Sequence, residues 1–88
     1  MSSESKNFDR LLREICVGLG YCGSVVNGQA LHVSDFIPQD GPVSADEFVW
    51  WVMRAEGFEP GESPHERQIR DAFIRHMGGE VVDARLLA

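Results

Sequence analysis

The side chains best suited to nucleophilic or metal chemistry in this sequence are two cysteines and three histidines. They are Cys16, Cys22, His32, His65 and His76. None lies at the C-x-x-C or H-x-x-x-H spacing of structural zinc sites, so we expect no bound metal. Cys22 and His32 are the one local pair that a short hairpin would bring together as thiol and base. No acid is placed to orient the histidine and nothing lowers the pKa of the thiol, so we expect a turn cysteine and a strand histidine.

The remaining glycine, cysteine and histidine signals favour structural roles. Two cysteines are too few for the disulfide framework of small secreted domains, and we expect none here. Cys16 and His76 fall on the apolar sides of predicted helices, where a small core residue and a partly buried, hydrogen-bonded histidine are expected. Residues 18–23, GLGYCG, match G-x-G-x-x-G, but a dinucleotide loop follows a strand and opens a helix. Here that order is reversed, so the pattern indicates a helix stop and a turn.

Length and composition favour one small, non-enzymatic domain. A chain of 88 residues with 43% hydrophobic residues has room for one core but little for a deep substrate cleft. The formal net charge of −6 argues against a nucleic-acid partner, which requires a basic surface. No apolar run is long enough to cross a bilayer and the N-terminal MSSESKNF lacks a signal core, so we expect a cytoplasmic protein without membrane contact. We expect no cofactor.

Hydrophobic periodicity predicts a mostly α-helical fold with a minor β component. Residues 1–6 are predicted to form a flexible tail and residues 7–88 a single small globular domain. Three main helices are expected, at about 8–19, 44–56 and 63–77. The second and third helices begin with the S-x-x-E pattern of a capping box and end at glycine.

Two segments allow more than one structure. Residues 24–26 and 29–33 flank Asn27-Gly28, the pattern of a β-hairpin with a two-residue turn. Alternatively, residues 29–37 form one or two helical turns. In the last segment, Val81-Val82 favours a short strand, whereas residues 83–87 favour a final helical turn.

A glycine, an aliphatic residue, a glutamate and a phenylalanine stand in the segment DGPVSADEF at the spacing of an EF-hand loop. They are Gly41, Val43, Glu47 and Phe48. The segment resembles the second half of an EF-hand calcium loop and the start of its exiting helix. Residues 66–73 are similar to the entering helix of a partner hand. The resemblance implies that residues 79–81 supply a second loop strand that pairs with Val43.

The departures from the EF-hand pattern concern the calcium ligands. Calcium takes six or more oxygen ligands, which include acids in the first half of the loop. Those positions hold Phe36 and Pro38, which leaves Asp40 and Glu47, and Arg85 stands where the second loop needs its closing acid. The resemblance therefore implies a relative that binds no calcium.

Six apolar residues in succession, from Phe48 to Met53, give the second helix more apolar surface than one stripe requires. Its core side is predicted to carry Phe48, Trp51, Val52 and Ala55. Its other side carries Val49, Trp50 and Met53, and a tryptophan beside methionine and charged residues is typical of an interface hot spot. We therefore predict that these three residues form the contact surface of a non-enzymatic protein-interaction or regulatory module. The expected partner is another protein or a second copy of the chain.

Two alternatives remain open. In one, the hairpin and the first helix cover the second helix on two sides, so that both of its apolar sides are core. In the other, the chain is a small enzyme or metal-dependent accessory protein that uses Cys22 and His32. If the predicted surface is exposed, the acids around it favour a basic partner. These acids are Asp46, Glu56, Glu59 and Glu62.

Overall fold

Three α-helices and two short antiparallel strand pairs form the fold of this chain in a computed structural model, which describes residues 3–26, 28–59 and 61–87. The helices are α1 (Ser3–Arg13), α2 (Ala45–Glu56) and α3 (Glu66–Met77). The strands are β1 (Ser24–Val26), β2 (Gln29–Leu31), β3 (Pro42–Ser44) and β4 (Val81–Asp83). Two 3₁₀ turns cover Val33–Phe36 and Ala84–Leu87. The predicted mostly α-helical small domain is confirmed.

Helix α1 begins earlier than the sequence predicts. It starts at Ser3 rather than at Phe8, because Glu4 and Lys6 favour a helix and no glycine or proline interrupts residues 3–7. Part of the predicted tail is therefore helical, while Met1 and Ser2 lie outside the described residues. After Arg13 the helix widens into a π-helical turn, Glu14–Gly18. The flexibility of the tail stays a prediction.

Helix α2 has the boundaries that its sequence predicts. Ser44 is the N-cap: its hydroxyl accepts from the Glu47 amide at 3.0 Å, and Glu47 Oε1 accepts from the Ser44 amide at 3.2 Å. This is the predicted capping box. The helix ends at Gly57, whose φ of 81° lies in the left-handed region that favours glycine.

The core lies where the three helices meet. Phe48 of α2 is fully buried, with its ring centroid 5.0 Å from that of Phe73 in α3 and 6.2 Å from that of Phe8 in α1. Leu11 and Ile69 complete the contact from the flanking helices and are also fully buried. Because α1 and α3 both pack on this centre, α2 is the middle helix of the domain.

The start of α3 differs from the prediction. The helix begins at Glu66, with His65 as an N-cap that makes no side-chain capping bond. The buried Ser63 hydroxyl hydrogen-bonds to the phenol of Tyr21 instead, and Glu66 Oε2 accepts from the Gly61 amide at 2.6 Å. A buried tyrosine hydroxyl needs a partner, so the predicted capping box of Ser63 and Glu66 is replaced by a tertiary contact.

A charged cluster ties the π-helical turn to the end of α3. Both carboxylate oxygens of Glu14 accept from Arg75, at 2.8 and 2.9 Å, and Oε1 also lies 3.0 Å from His76 Nε2. The hydrogen bonds from Arg75, followed by that of His76, lower the pKa of Glu14 to about 2. The predicted role of His76, partly buried and hydrogen-bonded, is confirmed.

Both ambiguous segments contain a strand followed by a helical turn. Strands β1 and β2 pair with Val26 opposite Gln29, so the predicted hairpin is confirmed, although Asn27 of its turn lies outside the described residues. The 3₁₀ turn at Val33–Phe36 follows directly. Near the C-terminus, β4 pairs with β3, with Val82 opposite Val43, and the turn Ala84–Leu87 follows. The pairing partner of Val43 is thus one residue beyond the predicted segment 79–81.

Candidate interaction surface

Only one of the three residues predicted to form the contact surface is exposed. Trp50 retains 49% of its accessible surface, whereas Val49 retains 6% and Met53 none. The prediction that Val49 and Met53 are exposed is therefore wrong. The reason is the central position of α2, which packs on α3 on one side and on the 3₁₀ turn Val33–Phe36 on another. A small domain can build a core only by covering its middle helix.

Trp50 separates two surface clefts. The first, here called the α2–α3 cleft, has a volume of about 330 Å³ and has Val49 among its lining residues. Its other lining residues are Asp46, Trp50, Glu66, Arg67 and Arg70. The second, here called the Gly57 cleft, has a volume of about 440 Å³. Its lining residues are Trp50, Arg54, Gly57, Phe58 and Glu59. Trp50 is the residue shared by both, so the two clefts and this side chain form one continuous feature, the Trp50 surface.

Phe58 is the second aromatic residue of the Trp50 surface. It is 39% exposed and its ring meets that of Tyr21 edge-on, with the centroids 6.0 Å apart. Phe58 is not among the residues that the sequence predicts for the contact surface. Its position in the sequence indicates a packing role, because an apolar residue directly after a helix-stopping glycine commonly packs back on the helix.

Arginines line the Trp50 surface, contrary to the expectation of an acidic rim. Arg70 Nη2 lies 2.8 Å from Glu80 Oε1 and its Nε lies 3.0 Å from Asp46 Oδ1. The hydrogen bonds to Glu80 and then Asp46 raise the pKa of Arg70 further. Arg54 stands over the ring of Phe36, 5.4 Å from its centroid, which is a cation–π geometry. Three arginines and three carboxylates line the two clefts, so their charges balance.

Four charged side chains of the Trp50 surface form no ion pair with any residue that the structure describes. Glu66 and Arg67 lie in the α2–α3 cleft, and Arg54 and Glu59 lie in the Gly57 cleft. Each cleft beside the exposed tryptophan therefore has one arginine and one carboxylate without an ion pair.

Glu56, predicted to belong to the acidic rim, lies elsewhere. It lines a cavity of about 10 Å³ together with Tyr21, His32 and other residues. Burial raises the pKa of its carboxyl, an effect that a hydrogen bond from the Gly23 amide opposes. Its Oε2 is buried and has no hydrogen-bond partner. Glu56 is thus a half-buried carboxyl that lines neither cleft of the Trp50 surface.

The structure brings Cys22 and His32 together but in a different chemical state from the one expected. Both line a cleft of about 460 Å³ beside the first hairpin. Cys22 is bonded to Cys16 in a disulfide, with their Cα atoms 4.4 Å apart, so they are not the separate core and turn cysteines that the sequence predicts. The widened π-helical turn and the following glycines bring the two sulfurs together. In this oxidised form Cys22 has no thiolate that could act as a nucleophile. His32 is hydrogen-bonded to a neighbouring residue instead, with its Nδ1 2.9 Å from Ser34 Oγ.

Calcium at millimolar levels is expected to leave the amide NMR spectrum unchanged. Glu47, which would close the calcium loop, is already engaged in the capping box of α2, and Asp46 pairs with Arg70. Too few free carboxylate oxygens remain for calcium. A calcium titration followed by ¹H–¹⁵N spectra tests this expectation, and saturable shifts in residues 40–47 would contradict it.

The described residues contain no metal cluster and no membrane-spanning helix. Nowhere in residues 3–26, 28–59 and 61–87 do three or more His, Cys, Asp or Glu side chains gather in a group suited to a metal ion. In the same residues, no helix combines the length and the apolar character needed to cross a bilayer.

Comparison with known proteins assigns no family. A scan against protein-family models found no match to this chain, and searches of curated proteins and of solved structures found no match either. The EF-hand resemblance therefore stays a prediction, and the functional argument rests on the chain's own geometry.

Proposed function

We propose that this chain is a non-enzymatic protein-interaction module that binds its partner through the Trp50 surface. The observation that carries the proposal is the half-exposed Trp50 standing between two clefts. Tryptophan and arginine are the residues most enriched among those that dominate binding free energy. Here one exposed tryptophan has Arg54, Arg67 and Arg70 around it.

The shape of the surface supports a protein partner rather than a small substrate. Both clefts are open to solvent and share the half-exposed Trp50, whereas small-molecule sites enclose most of their ligand. An apolar centre with a charged rim is the usual anatomy of a protein interface. The alternative of a small enzyme that uses Cys22 and His32 loses support, because the disulfide removes its nucleophile.

Replacement of Trp50 with glutamate is expected to weaken partner binding at least tenfold while leaving the fold intact. The change places a charge at the apolar centre of the contact. Binding is measured by NMR titration of the ¹⁵N-labelled chain with a panel of amphipathic helical peptides, the common ligands of apolar grooves. The panel includes acidic, basic and neutral peptides, because the two clefts carry balanced charge.

The matched control is Val25→Glu. Val25 is an exposed apolar residue on β1, away from the two clefts, so the same change in charge there should leave binding within about twofold. Circular dichroism before each titration checks the fold of both variants. The proposal fails if no peptide and no self-association shifts the signals of the two clefts, or if Val25→Glu weakens binding as much as Trp50→Glu.

A further inference from the structure

We infer that the Cys16–Cys22 disulfide is a redox switch, which a small thiol opens at Cys22 and which controls the shape of the Gly57 cleft. Its effect on partner binding rests on the proposed function, whereas the opening of the bond and the change in the cleft do not. Three features support the switch: the exposure of Cys22, the contacts that its neighbours make with the end of α2, and a core that does not depend on either cysteine.

The disulfide is accessible at one of its two ends. Cys22 is exposed, whereas Cys16 is half-buried in the π-helical turn. Cys22 also lines the open cleft of about 460 Å³ beside the β1–β2 hairpin, here called the hairpin cleft, together with His32 and residues of both strands. Exposed disulfides are the labile ones that undergo exchange, whereas structural disulfides resist reduction by cellular thiols.

The bond opens by thiol–disulfide exchange with a low-molecular-weight thiol. The thiolate of this compound attacks Cys22 Sγ from the hairpin cleft, the bond between the two protein sulfurs breaks, and Cys16 leaves as a thiolate that takes a proton from water. The product is a mixed disulfide on Cys22. A second small thiol attacks the outer sulfur, so that Cys22 becomes a thiol and the two small molecules form their own disulfide. The protein gains two electrons and two protons, and two small thiols are oxidised.

The residues around Cys22 hold the end of α2 in place. Three contacts join residues 21–24 to residues 55–58. They are the edge-on packing of Tyr21 on Phe58 with centroids 6.0 Å apart, the hydrogen bond from the Gly23 amide to the Glu56 carboxylate, and that from Ser24 Oγ to the Ala55 carbonyl. Phe58 is also a wall of the Gly57 cleft. A change in the position of Cys22 is therefore transmitted to this cleft.

The same segment also holds the start of α3. The Tyr21 hydroxyl hydrogen-bonds to Ser63 and lies 2.9 Å from His65 Nδ1. The rings of Tyr21 and His65 meet edge-on, with their centroids 5.7 Å apart. Because Tyr21 lies inside the loop that the disulfide closes, the bond restrains both ends of the connection between α2 and α3.

A switch requires that both redox states stay folded. Neither cysteine belongs to the buried core that the described residues form. Two backbone hydrogen bonds across the loop are also independent of the sulfurs: the Gly20 amide donates to the Cys16 carbonyl at 3.0 Å, and the Tyr21 amide donates to the Ile15 carbonyl at 2.9 Å. We therefore expect reduction to loosen residues 17–24 and their contacts while the helical core stays formed.

The reactivity of the bond is tested by equilibrating the full chain in glutathione buffers, followed by alkylation of free thiols and mass spectrometry. At the reducing poise of the cytosol most of the chain should be reduced. At the more oxidising poise of the endoplasmic reticulum most of it should hold the disulfide. A bond that stays intact at the cytosolic poise is structural, and this result would overturn the switch.

Two matched single-cysteine variants test the point of attack. Cys16→Ser keeps the exposed Cys22, and Cys22→Ser keeps the half-buried Cys16. With oxidised glutathione, at a pH where both thiols are ionised, Cys16→Ser should form its mixed disulfide about tenfold faster than Cys22→Ser. Circular dichroism checks the fold of both variants, and equal rates would contradict attack at Cys22.

NMR spectra of the oxidised and reduced chain test the transmission to the Gly57 cleft. Reduction should shift the amide signals of Phe58 and His65, whereas those of Val43 and Val82 in the β3–β4 pair should stay in place. In Tyr21→Phe, which keeps the ring but lacks the hydroxyl, reduction should shift His65 less than in the wild type. An unchanged Phe58 signal, or a chain that unfolds on reduction, would overturn the switch.

Peptide titration of both redox states separates the switch from the proposed function. A peptide that binds the Trp50 surface should differ in affinity between the two states by about fivefold or more, the lower end of typical coupling between sites. If the cleft changes on reduction but no peptide binds either state, the proposed function fails and the switch stands. If peptides bind both states equally, the interaction module stands and redox control of its binding is refuted.

Discussion

Replacing Trp51 with alanine should destabilise the fold by about 3 kcal/mol, whereas replacing Trp50 should cost about 1 kcal/mol or less. Trp51 is partly buried and packs against the core, while half of the Trp50 side chain lies in water. The two residues are neighbours of the same type on one helix, so each serves as the control for the other. Helix propensity and residue size cancel in the comparison.

The measurement is urea denaturation of both variants, monitored by circular dichroism, because both changes remove a fluorescent side chain. Trp51→Phe, which keeps an aromatic ring in the core, should recover most of the loss. Equal losses for the two alanine variants would mean that Trp50 is as well packed as Trp51. The Trp50 surface would then lose its basis.

Reducing the Cys16–Cys22 disulfide should destabilise the fold by about 2 kcal/mol. The bond closes a loop with a sequence separation of 6 residues, and the chain-entropy treatment of a loop this short gives about that value. The loop also carries Tyr21, which is buried and hydrogen-bonds to Ser63 and, at 2.9 Å, to His65 Nδ1. Reduction therefore loosens the segment that holds the start of α3.

Urea denaturation of the oxidised and reduced chain measures this loss. The Cys16→Ser, Cys22→Ser double variant is the control, because its stability should match that of the reduced chain and should not respond to reductant. Two free thiols in the air-oxidised wild type, found by thiol titration, would contradict the disulfide. Disulfides persist mainly in oxidising compartments, so this bond and the cytoplasmic location expected from the sequence favour different redox environments. The location stays a prediction.

The elements set by local chemistry were predictable from the sequence. Helix α2 begins and ends as its capping residues dictate, because Ser44, Glu47 and Gly57 act on the backbone within one turn of themselves. The hairpin at β1 and β2 follows in the same way from its two-residue turn. Such signals do not depend on what the rest of the chain does.

The features set by tertiary contact were not predictable. Ser63 stands in the sequence pattern of a capping box, but its hydroxyl hydrogen-bonds to the phenol of Tyr21, which is 42 residues away in the sequence. Cys16 and Cys22 meet because a helix widens at one turn, and periodicity does not reveal that widening. Neither the Ser63–Tyr21 hydrogen bond nor the disulfide can be predicted from the local sequence pattern.

The candidate site was predictable at its centre but not at its edges. Trp50 was identified because it lies at the edge of the core stripe among charged residues. Val49 and Met53 share its side of the helix but are covered by neighbours that the helical pattern does not specify. Arg67 and Arg70 reach the site from α3, and only the packing angle of two helices places them there.

The most direct test of the Trp50 surface is the indole NMR signal of Trp50, followed as each amphipathic peptide of the panel is titrated into the ¹⁵N-labelled chain up to about 1 mM. The account predicts that the Trp50 Nε1–H signal shifts progressively, together with the amides of Arg67 and Glu59. The Trp51 indole signal, from the same helix, should stay in place. Signals that change with none of the peptides, or changes confined to another face such as the β1–β2 hairpin, would contradict it.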